Sequence, residues 1–219
     1  MTTQSEENYL KAIYHLGKQG TKTVSTNAIA DKIETKASSV TDMLKKLAEK
    51  KLVNYIKYQG ATLTEQGQLA AALVVRKHRL WEVFLVEKLD FSWDEVHDVA
   101  EQLEHIKSLK LTDKLEAFLK HPTHDPHGDP IPNKQGQIAQ TNKVTLAAVQ
   151  INQTCVCVGV RDSSKSFLNY LNKKHIALGS VFKITGKEAF DESMLILHEN
   201  QELNISKSVS NNLFVKITN

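Results

Sequence analysis

The segment EVHDVAEQLEHIK holds the residues whose types and spacing could do chemistry. On a helix, at about 100° per residue, His97, Glu101, Glu104 and His105 fall within roughly 100° of arc. Two imidazoles and two carboxylates on one face can converge on a single divalent ion or a pair. The same face lies well away from the apolar Val96, Ala100 and Leu103, so a solvated helix face is the other reading. In the preceding helical stretch His78 and Glu82 stand one turn apart, side by side. Nitrogen and carboxylate donors without thiolate suit Mn2+, Fe2+ or Zn2+. Cys155 and Cys157 sit at i, i+2 in TCVCVGV and share one face of a strand. They read as buried small hydrophobes, with a metal-binding pair as the alternative.

The chain that must position these groups has 219 residues, enough for one large domain or two to three small ones. Hydrophobic residues are 41% and charged residues 24%, which excludes a mostly disordered or fibrous chain. No apolar run approaches the roughly 18 to 20 residues that span a bilayer. The opening MTTQSEENYL is polar and acidic, unlike a secretory signal. The expectation is a cytoplasmic protein with no membrane partner. The net charge of +3 permits a nucleic-acid partner, and its distribution says more. Residues 1–73 carry +3, residues 74–120 carry −2 and residues 121–219 carry +2. Six of the nine histidines lie between positions 78 and 127, in and beside the acidic middle, which points to a cation.

The first third reads as three short helices and a hairpin. Ser5 can cap a helix whose Tyr9, Leu10, Ile13, Tyr14 and Leu16 recur at helical spacing. A second helix covers Asn27–Ile33, and a third runs from Ala37 to Lys51 with Val40, Met43, Leu44, Leu47 and Ala48 inward. LVNYIKY and ATLT then alternate as strands about a turn at Gln59-Gly60. Helix, turn, helix and hairpin is the order of a winged helix-turn-helix. The small side chains of SSVTD would let the third helix lie close to base edges in a major groove; a small helical domain with a solvated polar face is the plainer alternative.

The middle third is helical. One helix runs from Thr64 to Leu89, one from a capping box at Ser92/Glu95 to Lys107, and a shorter one from Thr112 to Lys120. HPTHDPHGDPIPNKQGQ holds all four prolines and reads as a loop or linker. From Lys143 the chain alternates through VTLAAVQI, CVCVGV, VFKI, MLILH and LFVKI, with one helical stretch, SFLNYLNKKHI. Five short strands and one helix suggest a small SH3-like barrel.

Several stretches taken together resemble the iron- and manganese-dependent repressors, the diphtheria-toxin-repressor family, and its manganese-regulator branch in particular. They are SEENYLKAIYHL, SSVTDMLKKLAEKKLV, LTEQG, RKHRLWEVFL, VHDVAEQLEHI and DPHGDPIP, in one order along the chain. The resemblance implies a mainly α protein with a small β domain: a winged-helix DNA-binding domain (1–73), a helical dimerisation and metal-binding domain (74–142) and an SH3-like domain (143–219). It implies a homodimeric transcriptional repressor of metal homeostasis that binds palindromic double-stranded operator DNA when loaded with a divalent ion.

Carried over by position, the resemblance gives a primary metal site of Glu101, Glu104, His105 and Asn8, and an ancillary site of His78, Glu82 and His97. Asp125 and His127 match positions that complete a second site in some manganese members and could join Glu82; a turn-forming Asp-Pro with a surface histidine is the other reading. Glu101 stands where iron-type members have cysteine, so Mn2+ is preferred over Fe2+, and Zn2+ or Co2+ could fill the sites in vitro. Asn8 replaces the usual aspartate or methionine, with Glu7 a weaker substitute. Lys11 takes the place of a second first-helix carboxylate, so a closely spaced pair of ions is not expected. Ser163, Ser164 and Ser166 align with ligands that iron-type members take from the SH3-like domain, and Asp162 is the nearest carboxylate. The DNA contacts would come from Lys36, Ser38, Ser39, Thr41 and Lys45, with Lys57 and Tyr58 of the wing on the backbone.

Two rival classes remain open on the sequence alone. One is a winged-helix DNA-binding protein with a vestigial or structural metal site, which Asn8 and Lys11 favour. The other is a metal-dependent hydrolase, for which the chain offers no HExxH and no phosphate-cradling glycine loop.

Overall fold

A computed structural model of the chain describes residues 2–139 and 142–218. The described residues fall into two compact units. One takes the chain as far as Trp81, with Ala100–His121 and Ile131–Ala139; the other takes Glu82–Val99, Pro122–Pro130 and the stretch after residue 139.

In the first unit, helix α1 is Gln4–Leu16. It starts earlier than the expected Ser5 cap because Thr3 and Glu6 close a reciprocal capping box. Glu6 N donates to Thr3 Oγ1 at 3.3 Å and Thr3 N donates to Glu6 Oε2 at 3.0 Å. Such a pair satisfies two otherwise orphaned amides and is worth about 1 kcal/mol. Helix α2 is Thr26–Ile33, capped by Ser25 and ended by Glu34 in the left-handed region. Helix α3 is Ala37–Glu49, two residues shorter than expected at its C-terminal end. Its Val40, Leu44 and Leu47 are fully buried against Leu10, Ile13 and Ile29 in a common core.

Strands β1 (Val53–Ile56) and β2 (Gly60–Leu63) pair antiparallel with Ile56 opposite Gly60. The turn is therefore Lys57-Tyr58-Gln59, not the expected Gln59-Gly60. Gly60 is already in the strand, at φ +115°, where a Cβ would stand 2.2 Å from the Val24 carbonyl oxygen. Only glycine lets that backbone come so close.

Helix α4 is Glu65–Leu89, with Thr64 Oγ1 accepting from Gly67 N at 3.1 Å. Helix α5 is Val96–Leu103, half the length expected. Ser92 and Glu95 do bond, Ser92 Oγ to Glu95 Oε2 at 2.7 Å, but they close a turn ahead of the helix. The helix ends at Leu103, short of Lys107, and Ser108 caps the next one by accepting from Leu111 N at 3.2 Å. Glu104 and His105 consequently lie on the turn after α5, although Glu104 N still donates to Ala100 O at 2.9 Å. Helix α6 is Leu109–Phe118, earlier than the expected Thr112–Lys120, with Ser108 as its cap.

The second unit contains a six-stranded antiparallel sheet in the order β3-β8-β4-β5-β6-β7. Its strands are β3 (Val144–Thr145), β4 (Thr154–Val160), β5 (Val181–Lys187), β6 (Met194–His198), β7 (Gln201–Ile205) and β8 (Leu213–Thr218). Helix α7 (Lys165–Lys173) follows β4, and a short helix α8 (Lys207–Asn212) precedes β8. This is the small SH3-like β domain expected, with one more strand and one more helix. The additional strand, QELNI, is polar and pairs with β6 at the sheet edge, so it carries no apolar alternation in the sequence. VTLAAVQI is a strand for only two residues before a 3-10 turn at Leu146–Ala148. Cys155 and Cys157 point into this core with Phe182, Ile184 and Ile196, and burial pushes each thiol up to about 11. They are buried small hydrophobes. Among the described residues no helix is long and apolar enough to cross a membrane.

Candidate metal centres and nucleic-acid interface

The first unit gathers its chemistry between α1, α4 and the turn after α5. Lys11 on α1 reaches in, its Nζ donating to Glu104 Oε2 at 2.7 Å and to Glu101 Oε1 at 3.3 Å. The same ammonium lies 3.3 Å from His78 Nδ1. His78 Nδ1 is 2.6 Å from Glu104 Oε2, and since an ionised carboxylate only accepts, the shared proton belongs to the imidazole. Glu104 is 1% exposed. Burial pushes its carboxyl up, but the His78 hydrogen bond and the Lys11 charge outweigh this and hold it below the usual carboxylate range.

Glu7 supplies the other α1 contact. Its Oε2 accepts from His105 Nδ1 at 2.7 Å, which turns His105 Nε2 towards Glu104 Oε1 at 3.7 Å. Asn8, expected as the α1 ligand, is exposed, and among the described residues no hydrogen bond joins it to the cluster. The helix wheel explains the exchange: at about 100° per residue, Glu7 lies about 60° from the fully buried Leu10 and Asn8 about 160° away. That signal was available in the sequence. His78, carried over to the ancillary set, contributes its Nδ1 to this first cluster.

The donor set tests what the first cluster can hold. Glu104 Oε2, Glu101 Oε1 and His78 already surround a cation, the Lys11 ammonium, so these atoms do not fit a divalent ion while Lys11 is in place. On the other side, Glu104 Oε1 and His105 Nε2 have a spacing that two donors to one ion at about 2.1 Å each can have.

The second unit holds a separate cluster. Glu82 on α4, Asp125 and His127 each offer one donor atom, all within 4.8 Å of one another, and all three residues are buried. Glu82 Oε2 and Asp125 Oδ1 lie 3.8 and 4.0 Å from His127 Nδ1, and His97 Nδ1 lies 3.5 Å from Glu82 Oε1. The DPHGD loop explains the placement. Asp125 Oδ1 accepts from His127 N at 2.8 Å and Asp129 N at 2.9 Å, folding the loop on itself. Gly128, at φ +81°, lets it press on β4, where a Cβ would meet Val158 O at 2.0 Å, and Val160 N donates to His127 O at 2.9 Å.

His127 Nε2 donates to the Trp93 carbonyl at 2.8 Å, under a stacked Trp93 ring, and so leaves Nδ1 facing the carboxylates. A backbone acceptor on the far nitrogen is how ligating histidines are oriented. Burial opposes charge on this ring, but Glu82 and Asp125 outweigh it and raise its pKa to about 9. Two buried carboxylates this close favour a cation between them, and the N/O donor set fits a hard or borderline divalent ion. The Trp93 carbonyl had no sequence signal. Asp162 Oδ1 accepts from Ser164 N, and Ser164 caps α7 with Ser166 beside it.

On α3 the residues expected at DNA lie on the outer side: Lys36, Ser38, Ser39 and Lys45 are exposed and Thr41 is half-buried, its Oγ1 donating back to Ala37 O at 3.0 Å. Lys57 and Tyr58 occupy the wing tip, with Tyr58 92% exposed at φ +68° and the Lys57 ammonium over its ring.

The chain is similar to known proteins over most of its length. The iron-dependent repressor N-terminal DNA-binding domain matches residues 1–61, the iron-dependent repressor metal-binding and dimerisation domain residues 64–133, and the FeoA domain residues 144–217. A manganese-dependent transcriptional repressor solved in complex with manganese is 33% identical, with a TM-score of 0.86 over 97% of this chain and 99% of that one. The iron-dependent repressor IdeR of Mycobacterium bovis is 33% identical over 126 residues, 58% of this chain and 54% of IdeR. A probable metal transport system membrane protein of Chlamydia trachomatis is 43% identical over 88 residues, which are 40% of this chain and only 19% of that protein. With all three domains present in the same order and a solved repressor matched along almost its whole length, this chain belongs to the iron-dependent repressor family.

Proposed function

We propose that this chain is a metal-dependent transcriptional repressor of metal homeostasis, acting in the cytoplasm as a homodimer on palindromic operator DNA and catalysing no reaction. The observation that carries the metal dependence is the buried Glu82–Asp125–His127 group with an imidazole already oriented for ligation. These three residues, joined by His97, would hold Mn2+, with Fe2+ as the alternative and Zn2+ or Co2+ able to fill the site in vitro. When bound, the ion supplies positive charge between carboxylates that otherwise repel.

The chain's own residues do the rest. Lys36, Ser38, Ser39, Thr41 and Lys45 face a major groove, and Lys57 and Tyr58 face the phosphates. Two copies would set their α3 helices about one turn of DNA apart. Metal can act only by binding the DNA-competent arrangement better than the alternatives.

The test is fluorescence anisotropy on DNA upstream of the chain's own gene, at one fixed salt concentration, in chelator and in Mn2+, Fe2+ or Zn2+. A gain of at least about tenfold, 1.4 kcal/mol of coupling, is expected with Mn2+, and Glu82→Gln should remove it. The Lys11 ion pairs favour a second reading, a repressor that binds DNA without metal, and equally tight binding in chelator and in every metal would select it.

A further inference from the structure

The first cluster contains a cation that belongs to the chain. Lys11 Nζ stands 2.7 Å from Glu104 Oε2, 3.3 Å from Glu101 Oε1 and 3.3 Å from His78 Nδ1. A positive centre among two carboxylates and an imidazole is where a divalent ion would sit, and the Lys11 side chain is only 12% exposed there, against a 1% exposed Glu104. Its backbone is on α1, between Leu10 and Ala12, whose side chains are buried in the first unit. Lys11 therefore bonds the first helix of the winged-helix region to Glu101 on α5 and to Glu104 on the turn after it, and Glu104 in turn accepts from His78 on α4.

We infer that Lys11 is a built-in substitute for one metal ion: its ammonium fixes α1 to the Glu101–Glu104–His78 cluster whether or not metal is present. The consequence is a division of labour. On the Lys11 side the first cluster is closed by the chain itself, and the response to metal comes from Glu82, His97, Asp125 and His127. Buried charge pairs need both partners, because removing one leaves the other uncompensated. Neutralising Lys11 therefore releases α1, while replacing it by a carboxylate turns the same pocket into an additional site for a divalent ion. The inference rests on the metal-gated reading above for its biological meaning but not for its structural content.

The test uses the full-length protein and three variants. Calorimetric titration with MnCl2 should give one more Mn2+ per protomer for Lys11→Glu than for the wild type. Hydrogen exchange in chelator should find α1 protected in the wild type and in Lys11→Arg, and exchanging at least tenfold faster in Lys11→Met. Mn2+ should restore that protection in Lys11→Glu but not in Lys11→Met. Equal Mn2+ stoichiometry in the wild type and Lys11→Glu, or α1 protection unchanged in Lys11→Met, overturns the inference. Should Lys11→Met prove unfolded by circular dichroism, the stoichiometry of Lys11→Glu against Lys11→Arg decides alone. Operator affinity measured beside these separates the two readings. A wild type whose DNA binding ignores all metals refutes metal gating, yet leaves the exchange and stoichiometry results to judge Lys11.

Discussion

At the scale of single residues, the second cluster depends on one proton being in a fixed place. His127 Nε2–H is committed to the Trp93 carbonyl, so only Nδ1 faces Glu82 and Asp125. Loss of a directly ligating carboxylate should cost at least the 10- to 100-fold known for the groups that merely orient ligands. Glu82→Gln or Asp125→Asn is thus expected to weaken Mn2+ binding by more than about tenfold in a calorimetric titration. Asn8→Ala should leave it within about twofold, because Asn8 is exposed; an equal loss in all three would restore Asn8 as a ligand. Of the residues gathered in the two clusters, His78, Glu82, His97, Glu101, Glu104 and His105 stand at helical spacing in the sequence, whereas Asp125 and His127 enter through the resemblance alone. What resemblance alone does not give is which residue of α1 turns inward. Resemblance pointed to Asn8, whereas the angle to the buried Leu10 selects Glu7 and brings Lys11 towards the same side.

The elements were legible where apolar periodicity is strong and lost where caps or close approaches decide. Helices α1 to α4 follow their buried stripes, but α5 stops at Leu103, five residues before the Ser108 cap of the next helix, and that places Glu104 and His105 on a turn. Strand β7 is polar, and α8 has six residues, so neither carries a pattern long enough to detect. Gly60 shows the second kind of loss. A turn glycine was expected, but its need comes from Val24, thirty-six residues away, whose amide and carbonyl both bond Ala61 at 2.9 Å. Gly60→Ala has to bear a positive φ and a backbone clash at once, a cost of at least about 2 kcal/mol. The expected outcome is a melting temperature lower by several degrees, read by circular dichroism at 222 nm. An unchanged melting temperature would mean that the α2 entry and the wing are not packed as described.

For the whole molecule, the charge distribution along the chain becomes a statement about DNA. The +3 of residues 1–73 is displayed partly at α3 and the wing tip, where Lys36, Lys45 and Lys57 are all exposed. Such lysines act on phosphates through counterion release, so they contribute to every sequence alike and lose force as salt rises. Ser38 and Ser39, short and exposed at the start of α3, bring no charge, so a hydrogen bond from them to a base edge or a phosphate releases no counterion. The two groups therefore have separable signatures. In Mn2+, alanine at Lys36 or Lys57 should lower affinity for operator and unrelated DNA together. It should also flatten the slope of log affinity against log salt by about 1 for each phosphate no longer neutralised, hence by about 2 in a dimer. Ser39→Ala should leave that slope unchanged and narrow the preference for operator over unrelated DNA. If Ser39→Ala instead flattened the slope while Lys36→Ala changed only the preference, α3 would meet DNA by a different face. The match to repressor folds would then stand without this docking.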